Sequence, residues 1–152
     1  MKAVIQRVTQ ASVTVDNNIT GQIGHGFLIL LGAGSGDTEA DCEKLAEKIS
    51  KLRIFSDEND KINLSVNDIN GDILVVSQFT LYADCRKGNR PSFINACPPA
   101  KAEELYEYFM KCLQGKINGK IEHGVFGADM KVSLLNDGPF TVVLNCENGE
   151  II

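Results

Sequence analysis

Residues 2–31 have the sequence KAVIQRVTQASVTVDNNITGQIGHGFLILL, and this stretch decides the fold class. Residues 2–15 alternate between polar positions and mostly β-branched apolar ones, a pattern typical of a half-buried strand. After a turn at Asp16–Asn18, a second strand is expected over Ile19–Ile23, and the continuous apolar run Phe27–Leu31 predicts a third strand buried on both faces. Because short turns join these strands, the stretch favours an antiparallel meander over a βαβ unit.

The rest of the chain is predicted to supply two main helices and several short strands. Apolar residues at helical spacing indicate a helix over Asp37–Leu52, with Asp37 as its N-cap and a capping box from Thr38 and Asp41. A second helix begins near Pro99, and Gly115 caps its C-terminal end. Further strands are expected at 53–55, 62–64, 73–78, 117–121 and 131–146. The fold class is therefore α+β, a single domain with mostly antiparallel, barrel-like sheets.

Length and composition describe an ordinary globular protein. The chain has 152 residues, of which 43% are hydrophobic and 23% charged. Its longest apolar run is far too short to span a membrane, and the polar breaks at Gln6 and Arg7 exclude a signal peptide, so a cytoplasmic protein is expected. The net charge of −5 argues against a broad nucleic-acid-binding surface but leaves room for a small local contact.

The cysteine and histidine pattern argues against a metal site or a disulfide framework. The chain has five scattered cysteines and two histidines, with no CxxC pair. This usage fits a reducing compartment, and no metal or cofactor is expected. The cysteines are Cys42, Cys85, Cys97, Cys112 and Cys146.

Several short segments carry candidate chemistry that other features weaken. The Gly-rich turn Gly32–Asp37 lies between a strand and a helix, as in phosphate sites, but Asp37 stands at the third glycine position of the dinucleotide fingerprint. His25 and His123 both border glycines, and no GxSxG motif supports a hydrolase triad. The basic cluster Arg86–Arg90 is either a solvated turn or a local anion contact.

Two further segments allow a structural and a functional interpretation. Ser77–Leu81 ends a strand, where Thr80 and main-chain N–H groups could face an oxyanion, or could simply complete the sheet edge. Asn136–Thr141 contains the pair Gly138-Pro139 between two apolar runs. It is either a hairpin turn or a rigid element that holds two carbonyls in a fixed direction with no side chain in the way.

Together and in this order, Ser77–Leu81 and Asn136–Thr141 resemble the two signatures of the D-aminoacyl-tRNA deacylase family. Supporting matches occur at Gln6-Arg7-Val8, at 87–93 (KGNRPSF) and at 126–130 (FGADM). Each motif is short, but five in order over nearly the whole chain are specific.

The resemblance implies a homodimeric enzyme, without metal or cofactor, that hydrolyses the ester between a D-amino acid and the acceptor end of tRNA. It also implies activity on glycyl-tRNA, including glycine mischarged on tRNA(Ala), and a role in translation quality control. The carbonyls of Gly138 and Pro139, across a cis peptide bond, would enter the partner's active site and exclude L-amino acids, with Arg7 bracing them.

The resemblance further assigns roles around the strand end. The catalytic set would be Ser77, Gln78, Phe79 and Thr80, with the N–H groups of Phe79 and Thr80 stabilising the oxyanion. Water, assisted by the ribose hydroxyl, is favoured as the attacking group, because no base is visible beside Thr80. Phe79 and Met130 would hold the terminal adenosine, unless they are simple core residues.

Three other functions remain open at this stage. The chain could be a non-catalytic dimeric β module that binds a nucleotide or an RNA end. It could bind a nucleotide at Gly32–Gly36, or be a peptidase or esterase without a recognisable triad. Turnover of a D-aminoacyl ester distinguishes the first of these from an enzyme.

Overall fold

A computed structural model describes all residues from Met1 to Ile152. The β-strands are β1 (Lys2–Val15), β2 (Asn18–Ile23), β3 (Gly26–Gly32), β4 (Arg53–Ser56), β5 (Ile62–Ser65), β6 (Asp72–Ser77), β7 (Ile121–His123), β8 (Lys131–Glu147) and β9 (Glu150–Ile151). The helices are α1 (Glu39–Ser50) and α2 (Pro99–Gln114), and a short 3-10 turn spans Phe79–Tyr82. None of these helices combines the length and the apolar character needed to cross a membrane.

The long strand β1 organises the main sheet. Its first half pairs with β3 and its second half with β2, both antiparallel, as the N-terminal meander predicts. Along its other edge β1 pairs with β8. The order β7-β6-β3-β1-β8-β9, with β2 beside β1, makes a seven-stranded sheet.

The α+β class and the mostly antiparallel pairing are confirmed, but the sheet also contains two parallel pairs and is not a barrel. The pairs β3–β6 and β6–β7 are parallel, because a helix crosses over between the strands of each pair. The remaining pairs are antiparallel. The hydrogen-bonded order runs from one edge strand to the other, so the sheet is open and does not close into a barrel.

The core lies on both faces of the central strands. Phe27, Ile29 and Leu31 of β3 belong to the larger cluster, which packs β1, β3 and β6 against both helices. Leu28 points the other way, into a smaller cluster with Leu74 and Val76 of β6. The two-sided burial predicted for this apolar run is therefore correct.

Two predicted boundaries are wrong for identifiable reasons. Helix α1 is capped by Thr38 and not by Asp37, and the predicted capping box with Asp41 is present. The strand expected at 117–121 begins only at Ile121. The N–H groups of Asn118 and Lys120 donate instead to the side chains of Asn67 and Asp72, which removes them from strand pairing.

Candidate active site

A cleft of about 650 Å³ opens where β6 ends. Its walls come from this strand end, from the first turns of α2 and from residues 126–132, and most of the lining is apolar. Polar groups are few, which suits a site that binds an organic group and orients it by a small number of hydrogen bonds. The predicted site residues Ser77, Gln78, Phe79 and Met130 line the cleft, whereas Thr80, Arg7, Gly138 and Pro139 do not.

Main-chain hydrogen bonds hold the strand end that borders this cleft. The N–H of Gln78 donates to the carbonyl of Leu31 over 2.8 Å and ties the end of β6 to β3. The chain then enters the 3-10 turn, in which Leu81 N–H donates back to the Gln78 carbonyl. Phe79 and Thr80 occupy the first turn, where N–H groups have no acceptor within the helix. The N–H groups of Phe79 and Thr80 therefore belong to a hydrogen-bonded turn that directly follows the cleft residues Ser77 and Gln78.

Thr80 has an exposed hydroxyl, and this hydroxyl accepts a hydrogen bond from the Gln78 side-chain amide. An amide N–H is a donor and cannot take a proton from the hydroxyl. The side-chain partner of the Thr80 hydroxyl is therefore a donor and not a base.

Three further polar side chains of the cleft, Cys97, Tyr106 and Asp129, are not arranged as nucleophiles. Burial raises the pKa of the Cys97 thiol, which keeps it in its unreactive protonated form. Burial also raises the pKa of Tyr106, whose hydroxyl donates to the buried carbonyl of Val75 over 2.9 Å. The carboxylate of Asp129 lies 3.1 Å from Lys131 in an exposed ion pair.

An aromatic pair stands at the cleft wall. The rings of Phe79 and Phe93 meet edge to face with their centroids 5.0 Å apart. Phe79 is 53% exposed, so the alternative that it is a core residue is wrong. Met130 lines the cleft and also packs against the smaller core cluster.

The segment Asn136–Thr141 is a bulge within β8 and not a hairpin turn. Gln6 pairs with Thr141 and Val8 with Asn136, so four residues of β8 stand opposite the single residue Arg7. Strand β8 continues on both sides of the bulge because β1 is long enough to pair with both arms. The Gly138–Pro139 peptide bond is cis, and both residues are exposed.

The buried side chain of Arg7 is hydrogen-bonded to this bulge. It is only 9% exposed, and its Nε donates to the carbonyl of Asp137 over 2.8 Å. Its Nη1 donates to the carbonyl of Ile54 over 2.7 Å, and its guanidinium lies 4.9 Å from the centre of the Phe140 ring. The alternative that Arg7 is a surface charge on an edge strand is therefore wrong.

Sequence reasoning gave no role to Asn136, which closes the bulge. Its Oδ1 accepts from the N–H of Phe140 over 2.7 Å, and its Nδ2 donates to Thr141 Oγ1 over 3.0 Å. Asparagine at the start of an irregular segment is the available signal, since its side chain mimics a backbone turn.

In the Gly-rich turn Gly32–Asp37, the Asp37 carboxylate accepts hydrogen bonds from donors that a bound phosphate would need. The Asp37 carboxylate accepts from the N-terminal ammonium of Met1 and from the N–H of Gly34, each over 2.6 Å. It also accepts from the Tyr82 hydroxyl over 3.2 Å. Because the Asp37 carboxylate already occupies the Gly34 N–H and the Met1 ammonium, a phosphate site is not supported here.

The histidines lie away from the cleft lining. His25 packs edge to face against Phe55, with the ring centroids 5.2 Å apart, and His123 contacts the carbonyl of Gly124. No three His, Cys, Asp or Glu side chains come together as a group that could hold a metal ion. All five cysteines are unpaired thiols.

A family model and several known proteins are similar to this chain over nearly its full length. A family model described as D-Tyr-tRNA(Tyr) deacylase matches residues 4–145. The chain is 54% identical over 150 residues to a D-aminoacyl-tRNA deacylase of Flavobacterium johnsoniae, covering 99% of this chain and 100% of the relative. It is 56% identical over 145 residues to a D-aminoacyl-tRNA deacylase of Thermotoga petrophila, covering 95% and 97%.

A solved structure has the same fold. The structure of the c-Myc DNA Unwinding Element Binding Protein superimposes with a TM-score of 0.91 at 44% identity and covers 97% of this chain and 99% of the other. Fold and relatives together define a hydrolase of the deacylase class. The chain belongs to the D-Tyr-tRNA(Tyr) deacylase family.

Proposed function

We propose that the protein hydrolyses the ester bond of D-aminoacyl-tRNA and releases free tRNA and the D-amino acid. The chain belongs to a deacylase family, and two main-chain segments held by hydrogen bonds carry the proposal. One is the N–H pair of Phe79 and Thr80 beside an apolar cleft, and the other is the braced bulge that carries Gly138 and Pro139.

Bond cleavage is assigned to water and not to a protein nucleophile. The cleft residues Cys97 and Tyr106 are protonated and buried, and Thr80 has no base, which leaves water assisted by the ribose hydroxyl as the attacking group. The N–H groups of Phe79 and Thr80 would stabilise the oxyanion of the tetrahedral intermediate. Ser77 and Gln78 would fix the strand end that presents these donors.

The terminal adenosine is assigned to the apolar side of the cleft. The half-exposed ring of Phe79 offers a stacking surface, and the Met130 side chain is adaptable and polarisable. Both residues border the same cavity as Ser77 and Gln78. The adenosine would therefore hold the ester carbonyl next to the main-chain donors.

Gly138 and Pro139 are assigned to the cleft of a second copy of the chain. They do not line the cleft of their own chain. Strand β8, which carries them, is hydrogen-bonded to a neighbouring strand on its outer edge only near its C-terminal end, by β9. Leu135 and Val143 are exposed on this strand. A long, free, apolar edge pairs readily with another chain, so a homodimer through β8 would cover it.

The site would select D-aminoacyl esters by excluding the side chains of L-amino acids. Two carbonyls fixed at the substrate's α-carbon leave no room for an L-side chain, whereas a D-side chain points away from them. Exclusion by backbone atoms acts on every amino acid at once and needs no pocket for each side chain.

A second candidate, nucleic-acid binding without turnover, is favoured by one observation. The similar solved structure is that of a protein named c-Myc DNA Unwinding Element Binding Protein. Turnover separates the two functions, because a binding module would leave the ester intact.

The test is deacylation of D-tyrosyl-tRNA and L-tyrosyl-tRNA by the purified protein, followed by release of the free amino acid. We expect the D-ester to be cleaved and the L-ester to remain at its spontaneous rate of hydrolysis. Equal cleavage of both esters would contradict the exclusion mechanism, and binding of tRNA without cleavage would favour the second candidate.

A further inference from the structure

The loop between the 3-10 turn and α2 has features that the proposed function does not use. We call residues 84–94 the basic loop. A bridge between Asp84 and Ser92 closes it, with N–H to carbonyl distances of 2.8 and 3.0 Å. Its C-terminal arm carries Phe93, which lines the cleft and contacts Phe79. The basic loop therefore borders the cleft through its C-terminal arm.

The three cations of this loop are not equivalent. Arg86 is bound by the Asp84 carboxylate through Nε and Nη2, and this pairing lowers the pKa of Asp84 to about 2. Lys87 and Arg90 are exposed and have no carboxylate partner. In a chain of net charge −5, two free cations in a loop that borders the cleft are a local feature and not a general property of the surface.

Apolar surface accompanies these charges. Ile94 is 82% exposed, the largest exposed fraction among the exposed large hydrophobic residues of the chain. Phe93 is also exposed, and its ring continues the aromatic wall that begins with Phe79. Cations beside aromatic and aliphatic surface are the combination that binds single-stranded nucleic acid, by phosphate contacts and base stacking.

We propose that the basic loop binds the single-stranded nucleotides that precede the terminal adenosine of tRNA. Lys87 and Arg90 contact their phosphates, and Phe93 and Ile94 cover the face of a base. This inference rests on the proposed function, since the adenosine in the cleft sets the direction of the strand. It explains how an acidic protein can hold RNA, because only a short segment has to be bound.

The first experiment measures two substrates. The value of kcat/KM is determined for D-tyrosyl-tRNA and for D-tyrosyl-adenosine, which carries only the terminal nucleoside. In the double variant Lys87→Ala/Arg90→Ala the ratio of the first value to the second should fall on the order of tenfold at low salt. The salt dependence on tRNA should become less steep by about 1.4 in the log–log slope, because each of the two phosphate contacts accounts for about 0.7.

Arg86 supplies the matched control for Arg90. The variants Arg86→Ala and Arg90→Ala each remove one positive charge from the same loop, but only Arg90 is free. Arg86→Ala should keep the wild-type ratio and Arg90→Ala should lower it. An unchanged ratio in Lys87→Ala/Arg90→Ala, or an equal fall in the two single variants, would overturn the proposal.

Binding of uncharged tRNA by fluorescence anisotropy separates this inference from the proposed function. Lys87→Ala/Arg90→Ala should weaken binding of intact tRNA but not of tRNA trimmed of its single-stranded 3′ end. If this pattern appears in a protein that cleaves neither ester, the proposed function fails and the RNA contact stands. If Lys87→Ala/Arg90→Ala weakens binding of intact and trimmed tRNA by the same factor, the proposed contact between the basic loop and the single-stranded 3′ end is wrong.

Discussion

Arg7 Nε donates to the main-chain carbonyl of Asp137 over 2.8 Å, and this bond joins the centre of the sheet to the bulge of β8. The second hydrogen bond of the guanidinium, to the Ile54 carbonyl, fixes its orientation from the opposite side. Asp137 immediately precedes Gly138. We therefore propose that Arg7, which does not line the cleft of its own chain, sets the direction of the Gly138 and Pro139 carbonyls.

Replacing Arg7 by lysine tests this dependence. Arg7→Lys keeps the charge but cannot reproduce both hydrogen bonds, so a buried carbonyl loses its donor. The free energy of unfolding should fall by about 1–3 kcal/mol in a urea titration. Discrimination between D- and L-tyrosyl-tRNA should also decrease, because the bulge becomes mobile.

Arg53 is a suitable control for this substitution. Its Nε also donates to a carbonyl, that of Asn63 over 2.7 Å, but the residue is exposed. Arg53→Lys should change neither stability nor discrimination beyond experimental error. If Arg7→Lys behaved in the same way, the bracing role would be wrong.

Thr80→Ala tests the assignment of the attacking group. The substitution removes the hydroxyl that accepts from Gln78 but leaves the main-chain N–H in place. If water attacks the ester, kcat should remain within about tenfold of wild type, a change of about 1.4 kcal/mol in the barrier. Single-turnover deacylation of D-tyrosyl-tRNA measures this. Complete loss of activity with intact folding and tRNA binding would indicate a covalent route through Thr80.

Glycyl-tRNA should also be a substrate. Glycine has no side chain for the Gly138 and Pro139 carbonyls to exclude, so glycyl-tRNA should be cleaved, whether glycine is carried by its own tRNA or mischarged on tRNA(Ala). Deacylation under excess enzyme measures this. An enzyme that cleaves D-tyrosyl-tRNA but leaves glycyl-tRNA intact would contradict the steric account.

Val143→Lys tests the assignment of β8 to a dimer interface. Val143 is 60% exposed on β8, and a charge there should prevent pairing of two copies. We expect a dimeric wild type, a monomeric variant in analytical ultracentrifugation and a loss of D-specific deacylation in that variant. Ile19→Lys is the matched control, because Ile19 is also 60% exposed but lies on β2. A fully active monomeric wild type would refute the assignment.

Local sequence patterns were sufficient to predict most of the helices and strands. Alternation in β1, the apolar run of β3 and the start of α2 at Pro99 follow from short-range sequence signals. The parallel pairing of β3, β6 and β7 did not follow from them, because helices that cross over between strands determine which strands become neighbours. Asp37 was misassigned because its partners at Met1 and Tyr82 are distant in sequence.

The candidate site was predictable only in part. The motif resemblance predicts roles for Ser77–Thr80 and for the pair Gly138-Pro139, and of these residues Ser77, Gln78 and Phe79 line the cleft. That the pair lies in a bulge could not be read from the turn-like sequence, since it depends on the pairing of β8 with β1 around Arg7. The free cations of the basic loop were also hidden, because only the structure shows that Asp84 pairs with Arg86.

The central claim is that fixed carbonyls at Gly138 and Pro139 exclude L-amino acids, and the Gly138→Ala variant tests it most directly. Gly138 has φ +144°, a backbone conformation that is strained for an L-residue, and an added Cβ would lie 3.0 Å from Phe140 N and 3.1 Å from Arg7 Nη2, so the substitution should displace the bulge. A shift of about 1 Å in a positioning element can change rates on the order of a hundredfold.

The measurement is the ratio of deacylation rates on D- and L-tyrosyl-tRNA for wild type and Gly138→Ala, with folding verified by circular dichroism. The account predicts that the ratio falls in the variant because cleavage of the L-ester rises above its spontaneous rate. A folded variant that loses activity on the D-ester while the L-ester stays intact would contradict it, because the segment would then serve catalysis and not exclusion.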